Sequence, residues 1–268
     1  MRETAYAKIN LALHVRRRRE DGYHGLETVF AFVDQGDRLV AEPAACDQLV
    51  TTGEFAANLT DPFDNIVAKA LSHLPHGAGW RVTLEKCLPV AAGLGGGSAD
   101  AGAVFRMVER ETGLPSDWHA RAAALGADVP ACVLSETCIG TGTGTDLKPV
   151  VSDLTGCPVL LVNPRVPLAT GPVFRGWDGI DRGPLPTGTI REIALAGRND
   201  LEAPALMLCP VIGEVLLALE ASGAWLSRMS GSGATCFALF DSDQSLQEAS
   251  VRIAADHPGW WQLGGKLR

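Results

Sequence analysis

The chain has 268 residues, 46% of them hydrophobic, with a formal net charge of −8. That length suits one large domain or two small ones with a sizeable buried core, and the acidic balance argues against nucleic-acid binding, which needs a broad basic face. No apolar run reaches the length of a membrane span, residues 1–10 carry no signal core, and the seven cysteines show no CxxC or zinc spacing; a cytoplasmic protein with reduced, mostly buried thiols, no membrane contact and no protein-held metal is expected.

Residues 4–15 alternate, with Ala5, Ala7, Ile9, Leu11 and Leu13 on one side and Tyr6, Lys8, Asn10, Ala12 and His14 on the other. This predicts a strand with one apolar face and sets Lys8 and Asn10 side by side on the second. Residues 16–23 are polar, and Asp21-Gly22 marks a hairpin turn. The basic run 16–19 reads either as a solvated hairpin edge or as a positive rim for an anionic substrate. Residues 26–33 and 38–42 read as separate strands. Asp64 is placed to cap a helix over 65–74, and a strand over 80–85 runs into a glycine loop.

That loop, LPVAAGLGGGSADA, places Gly93, Gly95, Gly96 and Gly97 before Ser98. Ser98 is a good N-cap for a helix over 99–111 that stops near Gly113. A glycine loop feeding a helix N-terminus offers unpaired N–H groups and a positive dipole end, which suits phosphate. The spacing is neither a Walker loop nor a full GxGxxG, so by itself it reads equally as a tight turn. A further helix starts at Ser116 and stops near Gly126. Gly126-Ala127-Asp128-Val129-Pro130 then leads into an apolar strand over 131–134.

Residues 140–144 form a second glycine-rich turn. The stretch 149–158 is the best boundary, giving domains 1–152 and 153–268. A strand over 159–162 precedes Asn163-Pro164, and 179–189 is a loop. A helix over 211–221 follows, then strands 225–229 and 236–240 around Ser230-Gly231-Ser232-Gly233. A helix over 246–255 and a strand over 260–263 come last. Strands and helices in runs point to an α+β fold.

Three glycine elements with a lysine-bearing first strand resemble the GHMP kinase superfamily. AYAKINLALHV followed by DGYH, then GLGGGSADA, LGADVP, Asn163-Pro164 and MSGSGAT, is similar to the branch acting on a cytidine diphosphate methylerythritol in non-mevalonate isoprenoid synthesis. The similarity runs from residue 5 to about residue 240, and five motifs in this order make it specific. It implies phosphorylation of the 2-hydroxyl of the methylerythritol part, with ATP as donor and Mg²⁺ delivered with ATP. It also implies a two-lobed fold, ribosomal-protein-S5-like first and ferredoxin-like second.

The resemblance assigns roles residue by residue. Asp128 matches the catalytic base, a group that takes the hydroxyl proton as the phosphoryl group transfers; without the resemblance a helix-cap or turn aspartate is the commoner reading. Lys8 matches the lysine that stabilises the incipient alkoxide, against a plain edge-strand lysine. Asn10 would orient the substrate. Gly93, Gly95, Gly96, Gly97 and Ser98 would hold the ATP phosphates, with Lys86 nearby and Asn65 near the adenine. Tyr23, His24 and Phe174 would stack on and read the cytosine, and Thr170 matches a threonine near the phosphates or hydroxyl.

Two departures stand out: Ala99 replaces a frequent serine, removing one hydroxyl, and Thr143 replaces a frequently charged residue. The competing readings are another kinase of the superfamily, which would not need the DGYH platform, and a non-catalytic sensor, which would not need Lys8, Asn10 and Asp128. A bare dinucleotide-binding module fits worse, because the glycine spacing fails its pattern.

Overall fold

The computed structural model describes residues 1–59, 65–77 and 79–268. In chain order the elements begin β1 (Arg2–Arg18), β2 (His24–Ala44), β3 (Gln48–Thr52), α1 (Ile66–His73), β4 (Gly79–Glu85), α2 (Gly96–Thr112), α3 (Trp118–Leu125) and α4 (Val129–Leu134). They continue β5 (Cys138–Gly142), β6 (Asp146–Pro149), β7 (Pro158–Asn163), α5 (Thr170–Arg175), α6 (Ile190–Ala196), α7 (Glu202–Leu208), α8 (Val211–Glu220), β8 (Leu226–Met229), β9 (Cys236–Leu239), α9 (Asp243–Asp256) and β10 (Trp261–Lys266).

The chain forms two compact units that interleave in sequence. The first holds Met1–Lys8, Gln35–Val90 and Gly95–Ser135; the second holds Ile9–Asp34, Ala91–Leu94 and Glu136–Arg268. Residues 9–34 and 136–152 thus fall in the second unit, although the sequence expectation sets them before a boundary at 152/153. In the first unit β4 pairs parallel with β3 and antiparallel with the end of β2. Helices α1, α3 and α4 pack against α2, whose buried stripe runs from Ala99 to Val108. In the second unit the start of β2 pairs with β5, and β5 with β6. A second sheet has the antiparallel order β10-β7-β9-β8. With α8 before β8 and α9 before β10, that order is the split βαβ pattern of the expected ferredoxin-like lobe. Its core gathers Leu160, Val162, Ile212, Val215, Phe240 and Ile253.

Several local readings change. The two strands expected at 26–33 and 38–42 are one strand, β2, which pairs along β1 and so continues through Asp34-Gln35-Gly36. The second face of β1 is also covered: Lys8, Asn10 and His14 are all buried. Residues 131–134 are helical, not a strand; Pro130 sits in the first turn of α4, where its missing N–H costs nothing. Ser98 is not an N-cap, since α2 starts two residues earlier with Gly95 as its cap. Asp64 lies outside the described residues, and the cap of α1 is Asn65, whose side chain accepts from Val67 N. The Gly140 and Gly142 segment is strand, turning only at 143–145. β3 and the short helices α5, α6 and α7 carry no clear pattern in sequence. All seven cysteines are free thiols, four of them buried.

Candidate active site

In the first unit Lys8, Asp128 and Gly95 converge. Gly95 has φ +60° and ψ 25°, a left-handed conformation that glycine adopts at little cost. It turns the chain into the 17-residue helix α2, whose first N–H groups lack intrahelical partners. A Cβ at Gly95 would stand 3.0 Å from Lys8 Cε and 3.8 Å from Asp128 Oδ2. The Lys8 ammonium lies 3.1 Å from that same Asp128 oxygen. Lys8 is 4% exposed in its side chain and Asp128 35%. Asp128 occupies the N-cap position of α4, but its side chain makes no capping bond; it faces Lys8 instead. The arrangement therefore joins a buried cation, an accessible carboxylate and a helix N-terminus.

Gly96, Gly97 and Ser98 form the first turn of α2, and Gly97 is exposed. Lys86 is turned inward, not toward that surface. It donates to Asp37 Oδ2 and, at 2.8 Å, to Asp100 Oδ2, and it is 2% exposed. Its ammonium is paired with two buried carboxylates, so it is not a snorkelling strand-end side chain. Asn65 is buried, and its carboxamide oxygen is engaged in capping α1, 2.9 Å from Val67 N.

The second unit carries the other candidates. Gly93 is held by Ser230, whose hydroxyl donates to Gly93 O at 2.8 Å. A Cβ at Gly93 would lie 2.2 Å from Ser230 O, so only glycine fits. Asn10 receives support from the same loop: its N–H donates to Ser230 Oγ at 3.3 Å, while its Nδ2 donates to Thr28 Oγ1 at 2.8 Å. Thr170 Oγ1 lies 3.0 Å from Ser232 Oγ. Asn199 fixes the loop by donating to Met229 O and Gly231 O, both at 2.8 Å.

His24 forms an aromatic cluster with Phe174, centroids 5.1 Å apart, and with Trp177, 5.8 Å and edge-on. Its Nε2 is buried without a partner among the described residues. Burial and then the Arg18 charge lower the His24 pKa, which favours a neutral ring near neutral pH. Tyr23 is 62% exposed at the turn, its N–H held by Asp21 Oδ1 at 3.0 Å. The basic run is largely tied down: Arg16 to Glu27 and Asp181, Arg18 to the carbonyls of Arg175 and Trp177, Arg19 to Asp21. It reads as a braced hairpin edge more than a free positive rim. Sequence reasoning missed Asp37, Trp177 and Asn199, which carry no local signal. Asp100 had one, being a lone acid in the apolar run Ala99–Val108.

Residues 65–136 match the GHMP kinases N terminal domain and residues 187–258 the GHMP kinases C terminal domain. The chain is 71% identical to the 4-diphosphocytidyl-2-C-methyl-D-erythritol kinase of Novosphingobium aromaticivorans, over 100% of this chain and 93% of that protein. The chain belongs to the 4-diphosphocytidyl-2-C-methyl-D-erythritol kinase family. It is 64% identical to the kinase of that name from Erythrobacter litoralis, over 99% of each chain. A crystal structure of 4-(cytidine 5'-diphospho)-2C-methyl-D-erythritol kinase superposes with TM-score 0.84 at 34% identity, covering 100% of this chain and 99% of that one. A homoserine kinase from Cytophaga hutchinsonii shares the fold, with TM-score 0.66 at 16% identity, covering 98% and 95%. The chain is thus an enzyme, a GHMP kinase that uses ATP on a small molecule, and the α+β two-lobed expectation stands.

Proposed function

We propose that the chain transfers the γ-phosphoryl group of ATP to the 2-hydroxyl of 4-diphosphocytidyl-2-C-methyl-D-erythritol. The observation that carries the reading is the Lys8–Asp128 pair set against Gly95 at the start of α2. Asp128 takes the hydroxyl proton as that oxygen attacks the γ-phosphorus and the bond to ADP breaks. Lys8 orients the carboxylate and stabilises the developing alkoxide charge. The first turn of α2 binds the phosphates through its N–H groups. Mg²⁺ would come with ATP and neutralise charge on its phosphates. Tyr23, His24 and Phe174 hold the cytosine, Asn10 and Thr170 orient the acceptor, and Asn65 lies near the adenine. The working compartment is the cytoplasm; among the described residues no helix is long and apolar enough to cross a membrane.

The test is a coupled ADP-release assay with the cytidyl substrate, mevalonate and homoserine as acceptors. Turnover is expected with the first alone. Comparable rates on either of the others would overturn the substrate assignment.

Two variants separate the binding regions. A Cβ at Gly97 would meet only Ile66 Cγ2, at 3.6 Å. Gly97→Val is therefore expected to fold, yet its branched methyls obstruct phosphate approach. Calorimetry should show ATP affinity reduced by about tenfold or more, on the order of 1.4 kcal/mol; wild-type affinity in the folded variant would sink the cradle. Tyr23→Ala should raise KM for the cytidyl substrate by roughly tenfold to a hundredfold, the ~1–3 kcal/mol of one stacking wall. KM for ATP and the melting temperature should hold, because the ring is mostly exposed. Equal KM changes for both substrates would remove Tyr23 from the pyrimidine site.

A further inference from the structure

Three charged side chains meet beneath the first turn of α2. Lys86 follows β4, Asp37 lies in β2 and Asp100 in α2. Asp37 is fully engaged: Oδ2 takes the Lys86 ammonium, and Oδ1 takes the N–H groups of Cys87 and Leu88 at 2.6 and 2.8 Å. Asp100 differs. Its Oδ2 meets Lys86 at 2.8 Å, but its Oδ1 is buried and has no partner among the described residues. An unpaired carboxylate oxygen away from water is costly, and a proton there removes the charge.

Burial raises the Asp100 carboxyl to about 8, with Lys86 opposing the rise and Asp37 adding to it. Burial alone would lower the Lys86 pKa, but Asp100 and Asp37 outweigh it and hold it above the ordinary lysine value. The other elements packed on α2 bury Val67, Ala70 and Leu71 from α1, Ala122 from α3, and Val129, Ala131 and the Cys132 thiol from α4. The charges that bear on Asp100 are thus those of Lys86 and Asp37.

The cluster backs onto the proposed phosphate site. A Cβ at Gly96 would stand 3.5 Å from Lys86 Nζ and 3.7 Å from Asp37 Oδ2. With Asp100 protonated the three groups are neutral together; with Asp100 ionised they carry one negative charge.

We propose that Asp100 is a positioning residue for ATP, which keeps a proton in the working enzyme, locks Lys86 and Asp37 beneath α2, and so keeps net negative charge from building up behind the phosphates. The proposal rests on assigning the start of α2 to phosphate binding. It also gives Lys86 its role, which is to act through the loop rather than on the nucleotide. Phosphates then favour the protonated form, so ATP affinity falls as pH rises above about 8. One unit charge at this range and a protein-like dielectric corresponds to about tenfold in affinity.

The experiment is calorimetry of the full chain with a non-hydrolysable ATP analogue and Mg²⁺, from about pH 7 to about pH 9.5. Wild type is expected to lose about tenfold in affinity. Asp100→Asn keeps the size and an oxygen for Lys86 but cannot ionise, so it should lose less than about twofold. A wild-type profile that stays flat, or an alkaline loss retained in Asp100→Asn, overturns the proposal. A merely structural Asp100 would lower the melting temperature of the variant and leave the pH slope in place. Wild-type kinetics give a second readout needing no variant: KM for ATP should rise above pH 8 with kcat nearly level, and a KM independent of pH overturns the idea. Absence of analogue binding by wild type at every pH would instead bring down the phosphate assignment, and this proposal with it.

Discussion

Asp128→Asn is expected to lower kcat by a factor of ~10²–10⁴, the usual contribution of a positioned general base. The asparagine matches the aspartate in size but cannot accept the hydroxyl proton at neutral pH. Because the base acts in the transition state, binding of ATP should change by less than about twofold. The fold should persist: Asp128 makes no capping bond to α4 and is one of the more accessible groups of the site. Its loss does leave the buried Lys8 ammonium without that carboxylate, so a modest fall in melting temperature is expected too. Single-turnover kinetics with saturating ATP isolates the chemical step. A variant retaining more than about a tenth of wild-type kcat, a loss under ~1.4 kcal/mol, would remove Asp128 from the base role.

Lys86→Met should give the largest loss of stability. The substitution keeps most of the volume but removes the cation between two carboxyl groups, whose side chains are 0% and 3% exposed. Breaking a buried pair by deleting one partner costs about 3–5 kcal/mol, because the remaining charge is left without compensation. Denaturant unfolding at neutral pH measures it through the shift in midpoint. The sign of the pH dependence follows from Asp100. Its folded pKa of about 8 lies above the ordinary carboxylate value, so its protonation favours the native state. That contribution is complete below the ordinary carboxylate range and is lost as pH rises through about 8. Acidification relieves the uncompensated negative charge that the deletion leaves, so the penalty should shrink toward pH 5. A loss under ~1 kcal/mol at neutral pH, or one that grows on acidification, would contradict the cluster as drawn.

Much of the second unit could be read from periodicity. The strands over 159–162 and 236–240 and the helix over 211–221 lie close to β7, β9 and α8, since their apolar residues recur at strand or helix spacing. Lys8 and Asp128 were legible only because the motifs around them were; each alone looks like an ordinary edge lysine and an ordinary turn aspartate. What escaped depends on distant residues. The run Ala131-Cys132-Val133-Leu134 is too short for periodicity to tell a buried strand from a helical turn, and packing against α2 decides it. Asp37 sits among residues that favour turns, yet it is buried in β2 because Lys86, 49 positions away, needs a partner. Lys86 itself reads as a nucleotide ligand in the sequence; two carboxylates, one from β2 and one from α2, turn it inward.

The interleaving of the two units also bears on how the chain is made. Synthesis runs from the N-terminus, and domains generally fold as their segments emerge. Every segment of the first unit has been made once Ser135 is complete, so that unit can close early. The second unit begins at Ile9 but must wait. Its sheet is finished by β10 pairing with β7, Leu267 N–H reaches Cys157 O at 2.9 Å, and Arg268 N–H reaches Phe32 O at 2.9 Å. Until residues 261–268 leave the ribosome, β7 presents an open strand edge to its surroundings. The stretch of β2 around Phe32 and Val33, translated early, thus waits for Leu267 and Arg268 to gain these backbone partners.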